Sequence, residues 1–152
     1  MAFAPRPYPA GGALYELELY VVVSACAGLE AGLYHYDPER HRLRWLSADR
    51  SELEELLRDA GLATGVPRER LQILIVVAAR FSRIAWKYAS IAYSVILKDV
   101  GVLYQTMYLA ATAMGLAPCA VGCGDADRFA RTAGTDYYTE TSVGEFLLGS
   151  RD

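Results

Sequence analysis

The chain has 152 residues, 53% of them hydrophobic and 22% charged, which fits one globular domain spanning residues 1–152 and excludes a disordered chain. Its net charge is −3 and no block of basic residues occurs, which argues against nucleic acid as the main partner. Three cysteines (Cys26, Cys119, Cys123) make no disulfide framework, and the opening MAFAPRPYP holds no apolar run of signal length, so a cytoplasmic protein is expected.

Residues 1–16, with Pro5, Pro7, Pro9, Gly11 and Gly12, read as an irregular opening segment. Leu17 to Ser24 is rich in β-branched residues and predicts a strand. Gly28 to Gly32 predicts a turn, and Leu33 to Asp37 with His41 to Leu46 predict a hairpin around Asp37-Pro38. Asp49 to Ala60 predicts a surface helix: Asp49 and Glu52 fit a capping box, Leu53, Leu56, Leu57 and Ala60 form one stripe, and Gly61 ends it. Leu71 to Ala79 is a continuous apolar run, the pattern of a strand covered on both faces.

The spacing then predicts a helix from about Lys87 to Met114, some ~42 Å long at ~1.5 Å per residue. Ser90, Ser94, Lys98, Gly101, Gln105 and Thr112 form one narrow stripe on a helix otherwise apolar. Such a helix needs cover on most sides, and a domain this small favours supplying it from a second copy, as an intimate homodimer. Val100 to Gly124 lacks charged side chains, but Gln105, Thr106, Thr112, Gly115 and Pro118 interrupt it, so a buried helix followed by a buried strand is the better reading than a membrane span. A short strand (Ala117 to Gly122), a helix from Asp127 to Thr132 begun by Asp125, and a strand from Val143 to Leu148 complete the chain. The expected class is α+β: a mixed sheet flanked by helices, one of them long and central.

Metal, hydrolase and dinucleotide signatures are weak. Cys119 and Cys123 lack a second pair at zinc spacing, and no Gly-x-Ser-x-Gly elbow occurs. Gly122-Cys123-Gly124 lacks a third glycine, and Asp125 and Asp127 would repel a pyrophosphate. Trp86-Lys87-Tyr88 is sharper, because Lys87 and Lys98 are the only two lysines in an arginine-rich chain. A desolvated lysine can lose its proton and act as a base, which arginine cannot. Placed in the first turn of the predicted helix, Lys87 would also feel the positive end of its dipole. Adjacent helical residues point about 100° apart, so Lys87 and Tyr88 reach one site only at a helix end or kink. On the residues alone, a surface cation beside core aromatics explains the same triplet.

Four segments together decide between these readings. RPYPAGGALYELELYVVV, GLYHYDPERHRL, ARFSRIAWKYASIAYSVILKDVGVLYQTMYLAATAMGLAPCAVGCGD and GEFLLG, in this order from Arg6 almost to the C-terminus, resemble the azole-forming (SagB/McbC-like) dehydrogenases of the nitroreductase superfamily. The resemblance implies an FMN-dependent oxidoreductase that converts azoline rings of a modified peptide to azoles, working as a homodimer with flavin between subunits. It implies that Lys87 and Tyr88 remove the ring proton, and that Pro9, Ala10, Gly11 and Gly12 run along the flavin ring. Pro118, Cys119, Ala120, Val121 and Gly122 match the segment whose backbone faces the flavin's reactive edge. Arg151 matches a cation near the FMN phosphate, and Arg6 is the other candidate for it. No metal is implied.

Three departures stand out. Ala10 replaces a frequent serine, and Glu16 stands where proline is usual. Relatives carry an arginine-bearing helix before the RPYP segment, and no counterpart precedes it here. The expectation is therefore that FMN is held less tightly, and that a separately encoded partner supplies that helix, the gene start is truncated, or the chain binds something else or nothing. A non-catalytic dimeric scaffold and a general NAD(P)H nitroreductase are the competing functions.

Overall fold

A computed structural model describes residues 6–47 and 49–151. The strands are β1 (Leu17–Val23), β2 (Gly32–Asp37), β3 (Arg42–Ser47), β4 (Ile73–Arg80), β5 (Leu116–Val121) and β6 (Glu140–Ser150). They form one six-stranded sheet in the order β3-β2-β1-β4-β6-β5, and every pairing between neighbours is antiparallel. The helices are α1 (Arg50–Thr64), α2 (Phe81–Tyr88), α3 (Ala92–Ala113) and α4 (Ala126–Ala133). The α+β class expected from the sequence is the class observed.

Strand alternation explains the layering. In β4, Leu74, Val76 and Ala78 point into a core shared with α1 and α4, while Val77 and Ala79 point into a core shared with α2 and α3. The uninterrupted apolar run thus marks a central strand with helices on both faces. Asp49 caps α1 by accepting from the Ser51 amide, and Leu53, Leu56, Leu57 and Ala60 are its buried face. The helix runs past Gly61 to Thr64 and closes on Gly65 in the left-handed region. Gly61 serves packing instead, since a β-carbon there would lie 3.0 Å from the Val66 carbonyl oxygen.

The long helix is broken. α2 ends at Tyr88, Ala89 turns to φ 43° and ψ −120°, and a short 3-10 turn (Ala89–Ile91) leads into α3. Lys87 therefore lies in the last turn of α2, not in the first turn of a long helix, and the argument from the positive helix end does not apply to it. Ala92, Ile96, Asp99, Val100 and Leu103 bury the inner face of α3, while Tyr93, Leu97, Leu109 and Met114 leave its outer side exposed. Met114 and Gly115 separate α3 from β5, and among the described residues no helix is long and apolar enough to cross a membrane.

Candidate functional site

The break after α2 is what gives the site its shape. Because α2 stops at Tyr88, Lys87 and Tyr88 both reach the backbone at Gly12, which adopts φ +58°. A β-carbon on Gly12 would overlap Lys87 Nζ and would lie 3.0 Å from Tyr88 Oη. Lys87 Nζ sits 5.6 Å from the Tyr88 ring centroid, so the lysine nitrogen and the phenol ring occupy one small volume. Gly11 is fixed from the other side: its N–H donates to Asp99 Oδ2 at 2.7 Å, and Val95 fills the space a β-carbon would need. Ala13 (φ 55°), Tyr15 (φ 49°) and Ala89 (φ 43°) are non-glycine residues at positive φ on the two segments that meet here. Each costs on the order of 1–2 kcal/mol, held by the surrounding packing.

Gly12 is consequently intolerant of a side chain. Gly12→Ala is expected to lose about 1–2 kcal/mol from backbone strain alone, and to displace Lys87 Nζ. A thermal melt checks this: a fall of a few degrees is expected, and an unchanged melting temperature contradicts the geometry.

Asp99 was not singled out by sequence reasoning, although its signal was present. Ala92, Ile96, Asp99 and Leu103 follow one another at helical spacing, so a carboxylate occupies an inward apolar position. Glu16 is its neighbour. Glu16 is fully buried, and neither of its carboxyl oxygens has a hydrogen-bond partner among the described residues. Burial pushes its carboxyl up to about 7, and the Asp99 charge adds to the shift.

Glu18, two residues on, is buried in the opposite condition. Arg83 (2.8 Å), His35 (3.0 Å), Arg80 (3.3 Å) and Arg6 (3.9 Å) surround it. Burial opposes its charge, but the His35 hydrogen bond and the three guanidinium groups hold the Glu18 carboxyl below the usual carboxylate range. Arg6, expected near a phosphate, is spent here, with Nη1 also donating to the Leu17 carbonyl at 3.4 Å.

The remaining predicted residues divide into two places. Pro9 is exposed and Ala10 half-buried and extended, leading directly into Gly11 and Gly12. Pro118, Cys119, Ala120 and Val121 lie in β5, the sheet edge, and Gly122 follows with open space around it. The Ala120 N–H is occupied, donating to Tyr108 Oη at 2.8 Å. Asp99, beside Gly11, and Tyr108, beside Ala120, are nine positions apart on α3, or ~13 Å at ~1.5 Å per residue. The Gly11–Gly12 segment and the β5 segment thus meet α3 about two and a half turns apart. Arg151 is exposed, and its Nε donates to the Leu116 carbonyl at 3.1 Å. Among the described residues its terminal nitrogens have no partner.

These residues fit a flavin in part. The absence of side chains at Gly11 and Gly12 lets Lys87 and Tyr88 come directly against the backbone where the ring's reacting edge would be needed, and Arg151 offers a guanidinium for a phosphate. Arg6 does not fit, being committed to Glu18.

A helix-flanked antiparallel sheet with a lysine and tyrosine converging on a glycine turn defines an α+β protein with a candidate site at the end of α2. The profile of the nitroreductase family matches residues 1–149, and the chain belongs to that family. It is 34% identical over 119 residues to MJ1384 of Methanocaldococcus jannaschii, described as a nitroreductase, covering 77% of this chain and 58% of that protein. It is 34% identical over 116 residues to the trifolitoxin-processing protein TfxB of Rhizobium leguminosarum bv. trifolii, covering 73% and 30%. It is 30% identical over 118 residues to the microcin B17-processing protein McbC of Escherichia coli, covering 73% and 42%. Among solved structures, the E. coli microcin synthetase McbBCD complex with truncated pro-MccB17 bound superposes with a TM-score of 0.80 at 25% identity, covering 97% of this chain and 56% of that one. The chain spans between 30% and 58% of the length of these three relatives.

Proposed function

We propose that this chain is the flavin-bearing part of an FMN-dependent oxidoreductase that oxidises azoline rings in a modified peptide. The observation that carries the reading is the convergence of Lys87 Nζ and Tyr88 Oη on the Gly12 backbone. Similarity to TfxB and McbC, named as the processing proteins of trifolitoxin and of microcin B17, supports the substrate class, and membership of the nitroreductase family supports the cofactor.

Converting an azoline to an azole removes one proton and one hydride from adjacent ring atoms. Bound FMN would supply the hydride acceptor at N5. Lys87 takes the ring proton, and Tyr88 donates a hydrogen bond that orients the ring or the amine. Asp99 keeps the Gly11–Gly12 turn in place through the Gly11 N–H, so the base faces a fixed surface. Arg151 would hold the phosphate, with Pro9, Ala10, Gly11 and Gly12 along the ring and Pro118 to Gly122 at its reactive edge. The reading includes a homodimer, and the exposed Tyr93, Leu97 and Leu109 on α3 suit such an interface.

The test is anaerobic mixing of FMN-loaded protein with an azoline-bearing peptide. Loss of the oxidised flavin absorbance together with azole formation is expected. Bleaching by NAD(P)H with no response to the azoline would instead establish a general nitroreductase. One observation favours a second reading: with Arg6 against Glu18, Arg151 is the one predicted phosphate cation left without an ion-pair partner among the described residues. Under that reading the chain is a partner subunit whose flavin affinity depends on a second polypeptide.

A further inference from the structure

On the face of the sheet that carries α1 and α4, beyond the end of that cover, lies a cleft of about 820 Å³. Six arginines line it (Arg6, Arg40, Arg42, Arg44, Arg80 and Arg83) against three carboxylates, on a chain whose net charge is −3. The floor is rigid: Arg6, Arg80 and Arg83 converge on Glu18 as described, and Arg80 also donates to Glu140 at 2.6 Å. The wall is not neutralised to the same degree. Arg40 and Arg42 share Asp37 at 3.4 Å each, and Arg44 has no ion-pair partner among the described residues.

We propose that this cleft binds an acidic, extended peptide segment. Three features select that ligand. Arg42 and Arg44 stand two apart on β3, the free edge of the sheet, so their side chains leave the same face ~6–7 Å from each other. That spacing matches alternate side chains of an extended chain. A volume of several hundred Å³ is the size of a site that encloses a ligand rather than an ion. Trp86 stands in the lining 73% exposed, its Nε1–H donating to the Arg83 carbonyl at 2.8 Å, and it presents a fixed aromatic surface for an apolar or heterocyclic side chain.

Ala13, Leu14 and Tyr15 line the cleft on one side, and Ser82, Arg83 and Trp86 on the other. These segments continue in sequence into Gly12 and Lys87, which themselves meet on the α3 side of the sheet. Assigning the peptide as substrate rests on the function proposed above. Its binding does not.

The experiment uses the full chain and a fluorescein-labelled octapeptide of alternating aspartate and glycine. Counterparts carry serine or lysine in place of aspartate, and anisotropy is read at low and at physiological salt. The acidic peptide is expected to bind, to weaken as salt rises, and to bind at least about tenfold more weakly to the double variant R42E/R44E. Both positions are exposed, so the variant should keep its melting temperature; R42Q/R44Q, expected to weaken binding less, serves if it does not. Equal binding of the serine peptide, unchanged affinity in both variants, or full displacement by inorganic phosphate at the peptide's own binding concentration overturns the proposal. FMN titration of the same samples reads Gly12, β5 and Arg151 and not β3. A chain that binds peptide and not FMN therefore sinks the function reading alone.

Discussion

Lys87→Met is expected to lower the rate of azoline oxidation by roughly 10²–10⁴, the span that a positioned general base contributes. Flavin affinity should stay near that of the unaltered chain, since the ammonium faces the turn rather than the predicted phosphate cation. Methionine keeps the length and apolar stem of lysine while removing the proton acceptor, so the loss reads the amine and not the packing. Tyr88→Phe should cost less, because it removes a hydrogen bond and leaves the base. A separate readout distinguishes base from scaffold: hydride transfer in Lys87→Met should recover in part as pH rises and hydroxide replaces the missing amine. Oxidation at the original rate in Lys87→Met removes this residue from the chemistry and leaves Tyr88 without its proposed partner.

Glu16→Gln is expected to stabilise the protein in alkali and to do nothing in acid. The native carboxyl holds its proton up to about 7, whereas the unfolded chain releases it near 4.5. The folded state thus binds the proton more tightly, and the stability this contributes is present below pH 4.5 and lost as pH rises through 7. By pH 8 the ionised, unpartnered carboxylate costs about 3 kcal/mol, taking 1.36 kcal/mol per pKa unit. Glutamine has no charge to bury. Its melting temperature should exceed that of the original chain by roughly 6–12 °C at pH 8 and match it at pH 4.5. An equal gain at both pH values, or none at pH 8, contradicts the buried protonated carboxyl. The departure from the proline usual at this position thereby acquires a physical consequence: it installs a buried carboxyl, most stable when neutral, beside Asp99.

What could be read beforehand followed from periodicity. Alternation in Leu17–Val23, the unbroken run through β4, and the stripe of Leu53, Leu56, Leu57 and Ala60 each state which faces are covered. The break at Ala89 could not be read, because alanine is the strongest helix former and the apolar spacing runs straight through it. Its positive φ comes from tertiary contacts, and that same break is what lets two adjacent side chains meet at Gly12. The role of Arg6 was hidden for a related reason. Nothing local says that a guanidinium in an irregular segment will turn toward Glu18 on β1 rather than toward a ligand. The arginine wall was visible as Arg40, Arg42 and Arg44 at alternate positions, but a hairpin ordinarily carries solvated charges, and only the fold shows the opposite wall.

The central claim is that Gly11, Gly12, β5 and Arg151 form a flavin site, and it is tested most directly by titrating FMN into the purified chain. The account predicts quenching of flavin fluorescence with saturation and a rise in melting temperature, both reduced by Arg151→Ala. A colourless protein whose fluorescence titration and melting curve are indifferent to FMN would contradict it, and independent catalysis by this chain with it.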